Sequence, residues 1–313
     1  MISGAKVTLM PLDKKSYVRP RDISKAAISL LKFEASVQKL FQNQITGEIG
    51  KSLLTIIPDL TELPLLLRLM GVCPLTDLKL EKGLINIRSA LLLSNSELKP
   101  LPDILQFQSA LALQCFTNEY VYSQSAGEIK ELKALDNSVK KMLSNGEQPS
   151  PQSVLCLASY RALHEYEWSV MLTATDAIDE VFTRQFLEPN EEACLKLNIP
   201  ALEEITNDVS SKVRQQYESN PYPRWVNLGL RLEPAPIYKV VDEIKLKLCD
   251  DRIKDFESPN ILVAGCGTGQ HSIGTATNFK NSKVLAIDLS LSSLAYAKRK
   301  TEELGVQNIE YMQ

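Results

Sequence analysis

The sequence holds only two histidines and two tryptophans, and its six cysteines stand at 73, 115, 156, 194, 249 and 266 with no C-x-x-C pair. Cysteines scattered in this way make neither a disulfide framework nor a zinc site, and two histidines do not restore a metal centre. There is no surplus of positive charge: 35 Lys and Arg stand against 38 Asp and Glu, a formal charge of −3. Nucleic acids and anionic membranes are therefore not expected partners. No apolar run approaches the ~18 residues that cross a bilayer. The first twenty residues carry Lys6, Asp13, Lys14, Lys15 and Arg19 and lack the ~7 to 15-residue apolar stretch of a secretion signal. The expected location is the cytoplasm. What remains is a chain of 313 residues, 44% hydrophobic and 23% charged, which excludes disorder as its main state and leaves room for two domains.

The first part reads as helices. Across 21–44 the apolar residues Ile23, Ala27, Leu30, Leu31, Val37, Leu40 and Phe41 recur at three- and four-residue steps, the period of one buried helix face. Asp22 or Ser24 is placed to cap it. Further helical stretches follow near 61–70, 76–93 and 102–122, separated by Gly71, Pro74 and the pair Pro100 and Pro102. Ser125 and Glu128 have capping-box spacing for the next helix, and Pro149 and Pro151 mark a loop. Residues 152–187 are helix-compatible with a break near 173–176, a short helix starts at Pro189, and 201–217 continues the pattern. No useful strand-like alternation precedes 260, and no fixed repeat period appears. Short helices with short loops predict a packed helical domain over 21–200. A junction rich in proline and aromatics spans 201–237 and includes Pro221, Tyr222, Pro223, Arg224 and Trp225. Its rigidity differs from a flexible linker.

The chemistry begins at 261. Ile261-Leu-Val-Ala264 is a short apolar run that suits a buried parallel strand, and it enters Gly265-Cys266-Gly267-Thr268-Gly269 and then a helix-compatible stretch. Strand, glycine turn and helix open a doubly wound nucleotide site. A second strand, 283–287, ends at Asp288, 19 residues beyond Gly269, close to the ~20 expected of an acid that accepts the ribose hydroxyls. A helix over 290–304 and a third strand over 308–312 follow, giving β-α-β-α-β. The dinucleotide fingerprint would need a third glycine where Gln270 or Ser272 stands, and no Lys-Ser/Thr pair makes a phosphate loop. The spacing suits a ligand without a pyrophosphate. Cys266 reads as a small turn residue, since no histidine or lysine is placed to lower its pKa. His271 reads as a polar residue near a helix start.

These residues resemble motifs I and II of class I S-adenosylmethionine-dependent methyltransferases. The segment Gln216-Tyr-Glu-Ser-Asn-Pro-Tyr-Pro-Arg-Trp225 and the stretch Leu111-Ala-Leu-Gln-Cys-Phe-Thr-Asn-Glu-Tyr-Val-Tyr122 are similar to bacterial methyltransferases whose catalytic domain follows tetratricopeptide repeats, although no such repeats are evident in this chain. The resemblance implies α + α/β architecture: an all-helical N-terminal domain, then the first half, β1 to β3, of a Rossmann-like methyltransferase domain over 238–313. It implies S-adenosyl-L-methionine as cofactor, lined by Gly265, Gly267 and Gly269, with Asp288 on the ribose and Leu289 beside the adenine. Where the family often carries an acid one position before the first glycine, this chain has Ala264. Two readings of 217–225 stand open. In one, Tyr217, Tyr222 and Arg224 fold over the methionine part of the cofactor, Arg224 pairing with its carboxylate. In the other, Trp225 anchors the helical domain and Arg224 pairs with a structural acid.

The expected activity is methyl transfer to an unidentified acceptor, with the helical domain assisting substrate or protein-partner recognition and no residue assigned a catalytic role. An alternative is a helical interaction scaffold with a degenerate cofactor domain; a weaker one is an NAD-dependent oxidoreductase. The family's sheet has its first strand in the middle, so a chain with only three strands is expected to leave that strand as an apolar edge. The expectation is a fragment of a longer gene product that does not catalyse by itself.

Overall fold

The computed structural model describes residues 18–46, 51–202, 214–215, 217–218, 221–231 and 233–313. The helix expected across 201–217 lies largely outside the described residues. Two compact units form, Pro20–Pro189 and Asn190–Gln313 among the described residues.

The helices of the first unit are α1 Pro20–Leu31, α2 Ala35–Thr46, α3 Lys51–Leu54, α4 Ile57–Thr61, α5 Pro64–Val72, α6 Leu78–Leu93, α7 Pro102–Thr117, α8 Ala126–Ser144, α9 Pro151–Ala158 and α10 Asp179–Phe182. Helix α7 buries Phe107, Leu111, Leu113 and Phe116 together with the polar Gln108 and Gln114. A helix covered all round belongs at the centre, and α4, α5 and α9 pack on it. The single helix expected over 21–44 is two helices. The end of α1 tightens into i to i−3 bonds at Phe33 and Glu34, and Lys32 turns out to Asp77 at 2.5 Å, the residue that caps α6. Neither expected cap acts as one. Helix α1 starts at Pro20, whose missing N–H costs nothing in a first turn, Asp22 lies within that turn, and the Ser24 hydroxyl donates back to the Arg21 carbonyl. The capping box at α8 forms as spaced: Ser125 N–H donates to Glu128 at 2.8 Å and the Glu128 N–H donates to Ser125 Oγ at 3.2 Å.

Residues 152–187 depart furthest from the expected helix. Helix α9 stops at Ala158, and the chain goes on in two 3-10 turns, Leu163–Glu165 and Glu167–Met171, which turn Tyr166 and Trp168 into the core with ring centroids 4.6 Å apart. A π-helical turn, Thr183–Leu187, follows. Its buried Gln185 donates to the carbonyls of Ala112 and Ala158, each at 3.1 Å, and accepts from Leu163 N–H at 3.3 Å. These bonds satisfy backbone groups that the irregular path would otherwise leave unpaired. Arg88 is enclosed in this unit: it stacks 4.1 Å from the Tyr160 ring centre and donates to the Ser123 carbonyl, with Glu128 at 3.8 Å.

The second unit carries α11 (Glu188–Lys196, which begins two residues before Asn190), α12 (Ile237–Glu243), α13 (Gln270–Asn278) and α14 (Leu291–Glu303) around the strands β1 Asn260–Ala264, β2 Lys283–Ile287 and β3 Ile309–Met312. The strands are parallel in the order β1-β2-β3, with Ala264 opposite Ile287 and Ala286 opposite Tyr311. Alternation decides the faces. Val263, Val284, Ala286 and Tyr311 point one way and pack with Ala276 of α13 and Leu294 and Ala297 of α14. Right-handed crossovers between successive strands put both helices on that one face. The opposite face carries Leu262, 61% exposed, beside Leu285. Among the described residues β1 pairs only with β2 and is an edge of the sheet. At the end of the junction Ala235 pairs with Phe279 in an isolated parallel bridge before Pro236 opens α12.

Candidate cofactor site

The site is built where β1 and β2 end side by side. At the end of β1 the chain enters the left-handed region at Gly265, Gly267 and Gly269, with φ of +69°, +52° and +87°, angles that side-chain-bearing residues adopt only at a cost. The turn is fastened to β2, because the N–H groups of Gly265 and Cys266 both donate to the Ile287 carbonyl, at 2.8 and 3.0 Å.

The three glycines have different duties. A Cβ at Gly265 or Gly267 would meet no heavy atom within 4 Å, whereas one at Gly269 would lie 2.7 Å from Ala297 Cβ and 3.1 Å from its Cα. Gly269 is thus the close approach of the turn to α14. Gly265 and Gly267 keep backbone open to whatever lies above it. Asp288, at the end of β2, reaches this turn: its Oδ2 accepts from Gly267 N–H at 2.8 Å, while Oδ1 accepts from Ser290 N–H at 3.0 Å. Each oxygen keeps lone-pair capacity for a further donor. Motifs that are 21 residues apart therefore meet in one hydrogen bond.

Residues 217–218 and 221–225 join the site at two places. At one end Ser290 Oγ donates to the Tyr217 carbonyl at 3.1 Å, and the Glu218 carboxylate accepts from Leu291 N–H at the start of α14. At the other, Thr268 Oγ1 donates to the Pro223 carbonyl and Trp225 Nε1 donates to the Thr268 carbonyl, both at 2.9 Å. The Tyr296 hydroxyl donates to the Trp225 carbonyl, its ring meets the indole edge-on at 6.0 Å, and Lys300 Nζ stands 5.0 Å over that indole. The partners of Trp225 thus lie on the glycine turn and α14, in the second unit. Arg224 is half-buried between the two residues tied to Thr268, and Tyr217 and Tyr222 are exposed. Leu289 is half-buried, with its carbonyl accepting from Gln313 Nε2 at 2.9 Å. His271 is exposed on the first turn of α13. Ala264 ends β1 on the sheet face opposite the helices.

Burial first, and then the neighbouring Asp288, push the Cys266 thiol up to about 12. It is a packed turn residue, not a thiolate. Among the described residues no group of three or more His, Cys, Asp and Glu side chains gathers to hold a metal, and no helix is long and apolar enough to cross a membrane. Two contributors carry no signal in the sequence. Thr268 and Glu218 act through partners 45 and 73 residues away, and only the fold brings those together.

A three-stranded parallel sheet in this order, with a glycine turn bonded to an acid at the end of β2, is consistent with part of a Rossmann-like α/β fold. Residues 261–313 match a family model described as a methyltransferase domain. Comparison with curated proteins finds no match, and comparison with solved structures finds none.

Proposed function

We propose that the chain is an S-adenosyl-L-methionine-dependent methyltransferase of class I, with the cofactor held across the ends of β1 and β2. One observation carries this reading: the bond between Asp288 and Gly267 beneath two glycines whose side-chain directions are open. A Cβ at either glycine would fill that cradle. When bound, the cofactor supplies an electrophilic methyl group on a sulfonium centre.

The chain's own residues do the rest. Gly265 and Gly267 admit the ligand against the main chain, with Gly269 fixing the turn on α14. Asp288 has acceptor capacity for the two ribose hydroxyls, and Leu289 offers an apolar flank to the adenine. Tyr217, Tyr222 and Arg224 belong to a strap tied at both ends. The guanidinium of Arg224 suits the carboxylate of the amino-acid part, since that pairing is planar and bidentate. Methyl transfer needs the acceptor atom in line at ~3 to 3.5 Å, so positioning and water exclusion supply most of the catalysis, and a base is needed only for an acceptor that must lose a proton. The helical domain, 21–200, would serve acceptor or protein-partner recognition ahead of the junction, 201–237, and the cofactor domain, 238–313. Transfer in the cytoplasm is part of the same reading.

Calorimetry with S-adenosylhomocysteine tests the proposal. Binding is expected in the whole chain and is expected to be lost in Asp288→Ala and in Gly267→Val; normal binding by both variants would sink it. Ala264, standing where an acid would contact the cofactor's amino group, favours the second reading, an interaction scaffold with a degenerate site. Capture of a partner by the helical unit, with no cofactor binding by the whole chain, would support that instead.

A further inference from the structure

The first turn of α14 holds a knot of charge that the proposed reaction does not use. The Glu218 carboxylate accepts from Leu291 N–H and, at 3.4 Å, from Ser292 N–H. Its Oε2 lies 2.8 Å from Ser292 Oγ and 3.6 Å from Lys196 Nζ, and Lys196 also donates to Ser292 Oγ. The main chain of Glu218 adds to the grip, its carbonyl lying 2.7 Å from the same serine hydroxyl. A helix N-terminus with a lysine and a hydroxyl beside it attracts an anion. Here the anion comes from the chain itself.

The position of this knot matters because α14 starts three residues after Asp288. In doubly wound nucleotide sites the acid at the end of β2 takes free ribose hydroxyls, and cationic groups just beyond it accommodate a phosphate on the ribose. In this chain Asp288 and Glu218 accept from the consecutive N–H groups of Ser290 and Leu291, and Glu218 also pairs with Lys196. A phosphate arriving at the ribose would meet two carboxylates, Asp288 and Glu218, with the nearby lysine already neutralised. Without the Glu218 charge, Lys196, two backbone N–H groups and the Ser292 hydroxyl would be left facing the same place.

We infer that Glu218 is a specificity-determining residue, an internal anion that fills the start of α14 and excludes ligands with a phosphorylated ribose from the site at Asp288. The inference rests on the adenosyl reading of that site. It gives the 217–225 strap a second duty, since the residue that ties one end of the strap also selects the sugar.

Calorimetry on the whole chain with adenosine and adenosine 2′-monophosphate, at low ionic strength, separates the two claims. The wild-type chain is expected to bind adenosine at least about tenfold more tightly than the monophosphate. Glu218→Gln should narrow that ratio by about tenfold or more through a gain in monophosphate affinity, while Glu218→Asp, which keeps the charge, should preserve it. Equal binding of both probes by the wild type overturns the inference without recourse to any variant. A variant that still binds adenosine with an unmoved ratio overturns it while leaving the adenosyl site intact. Failure of the wild type to bind adenosine at all removes the adenosyl reading and this inference together.

Discussion

Substituting alanine for Gly269 and for Gly267 should give different outcomes, although both residues lie in one turn at positive φ. At either position an L side chain costs ~1 to 2 kcal/mol for the left-handed backbone. At Gly267 nothing is added to that, because the new methyl meets open space. At Gly269 the methyl would sit 2.7 Å from Ala297 Cβ, on a helix face that already packs against the sheet, and overpacking of this kind costs a further ~1 to 3 kcal/mol. Gly269→Ala should therefore destabilise the second unit by ~2 to 5 kcal/mol and Gly267→Ala by ~1 to 2 kcal/mol. The assay follows from the two tryptophans. Trp168 lies in the first unit and Trp225 in the second, so a Trp168→Phe background leaves the indole on Thr268 as sole reporter. With a urea slope of ~1 to 3 kcal/mol per molar, the two variants should differ in midpoint by ~0.3 to 3 M. Coincident midpoints would refute the division of duties among the glycines.

Trp225→Phe removes the indole N–H bond to the Thr268 carbonyl; a loss of about 1 kcal/mol in urea unfolding followed by circular dichroism is expected, with weaker S-adenosylhomocysteine binding because the strap loses one tie. In the first unit, burial raises the Glu128 carboxyl pKa, but the Tyr160 hydroxyl, the Ser125 N–H and hydroxyl, and Arg88 outweigh it and hold the pKa below the ordinary 4.5. A depressed folded pKa gives stability that is present above the unfolded value and lost as pH falls through the folded one. Urea midpoints followed by helical circular dichroism should fall below pH 4.5, and Glu128→Gln should flatten that fall. Thiol labelling at pH 8 should modify Cys194 and Cys249, the exposed pair, and spare Cys73, Cys115, Cys156 and Cys266 until the chain is denatured. Burial raises those four thiols to about 11 or 12, so rapid native labelling at any of them would contradict the packing.

Where one short-range rule governs, the reading from residues mostly agrees with the structure, the caps at Asp22 and Ser24 excepted. The strand over 283–287 is β2 to the residue, the helix read over 290–304 is α14 within one residue at each end, and Ser125 and Glu128 form their reciprocal cap. Each rests on neighbours within four positions, where sequence spacing is geometry. The reading fails where distant groups compete for the chain. Periodicity does not foresee the break between α1 and α2, since the pull of Asp77 on Lys32 comes from 45 residues away. Nor does helix-compatible composition over 152–187 foresee two 3-10 turns and a π-turn, because their backbone groups are satisfied by a Gln185 side chain reaching α7 and α9.

The candidate site divides in the same way. Glycine spacing and an acid at the end of the second strand point to a nucleotide fold, because parallel strands in β-α-β order must end at one edge, and the adenosyl ligand is what the family resemblance of these motifs implies. The sequence by itself determined those residues and their order. Only the tertiary structure decided that Gly269 packs on Ala297 while Gly265 and Gly267 stay open, that Trp225 grips the glycine turn, and that Glu218 occupies the start of α14. Those roles depend on which groups from remote parts of the chain arrive within hydrogen-bond or van der Waals distance, and local spacing carries no information about that.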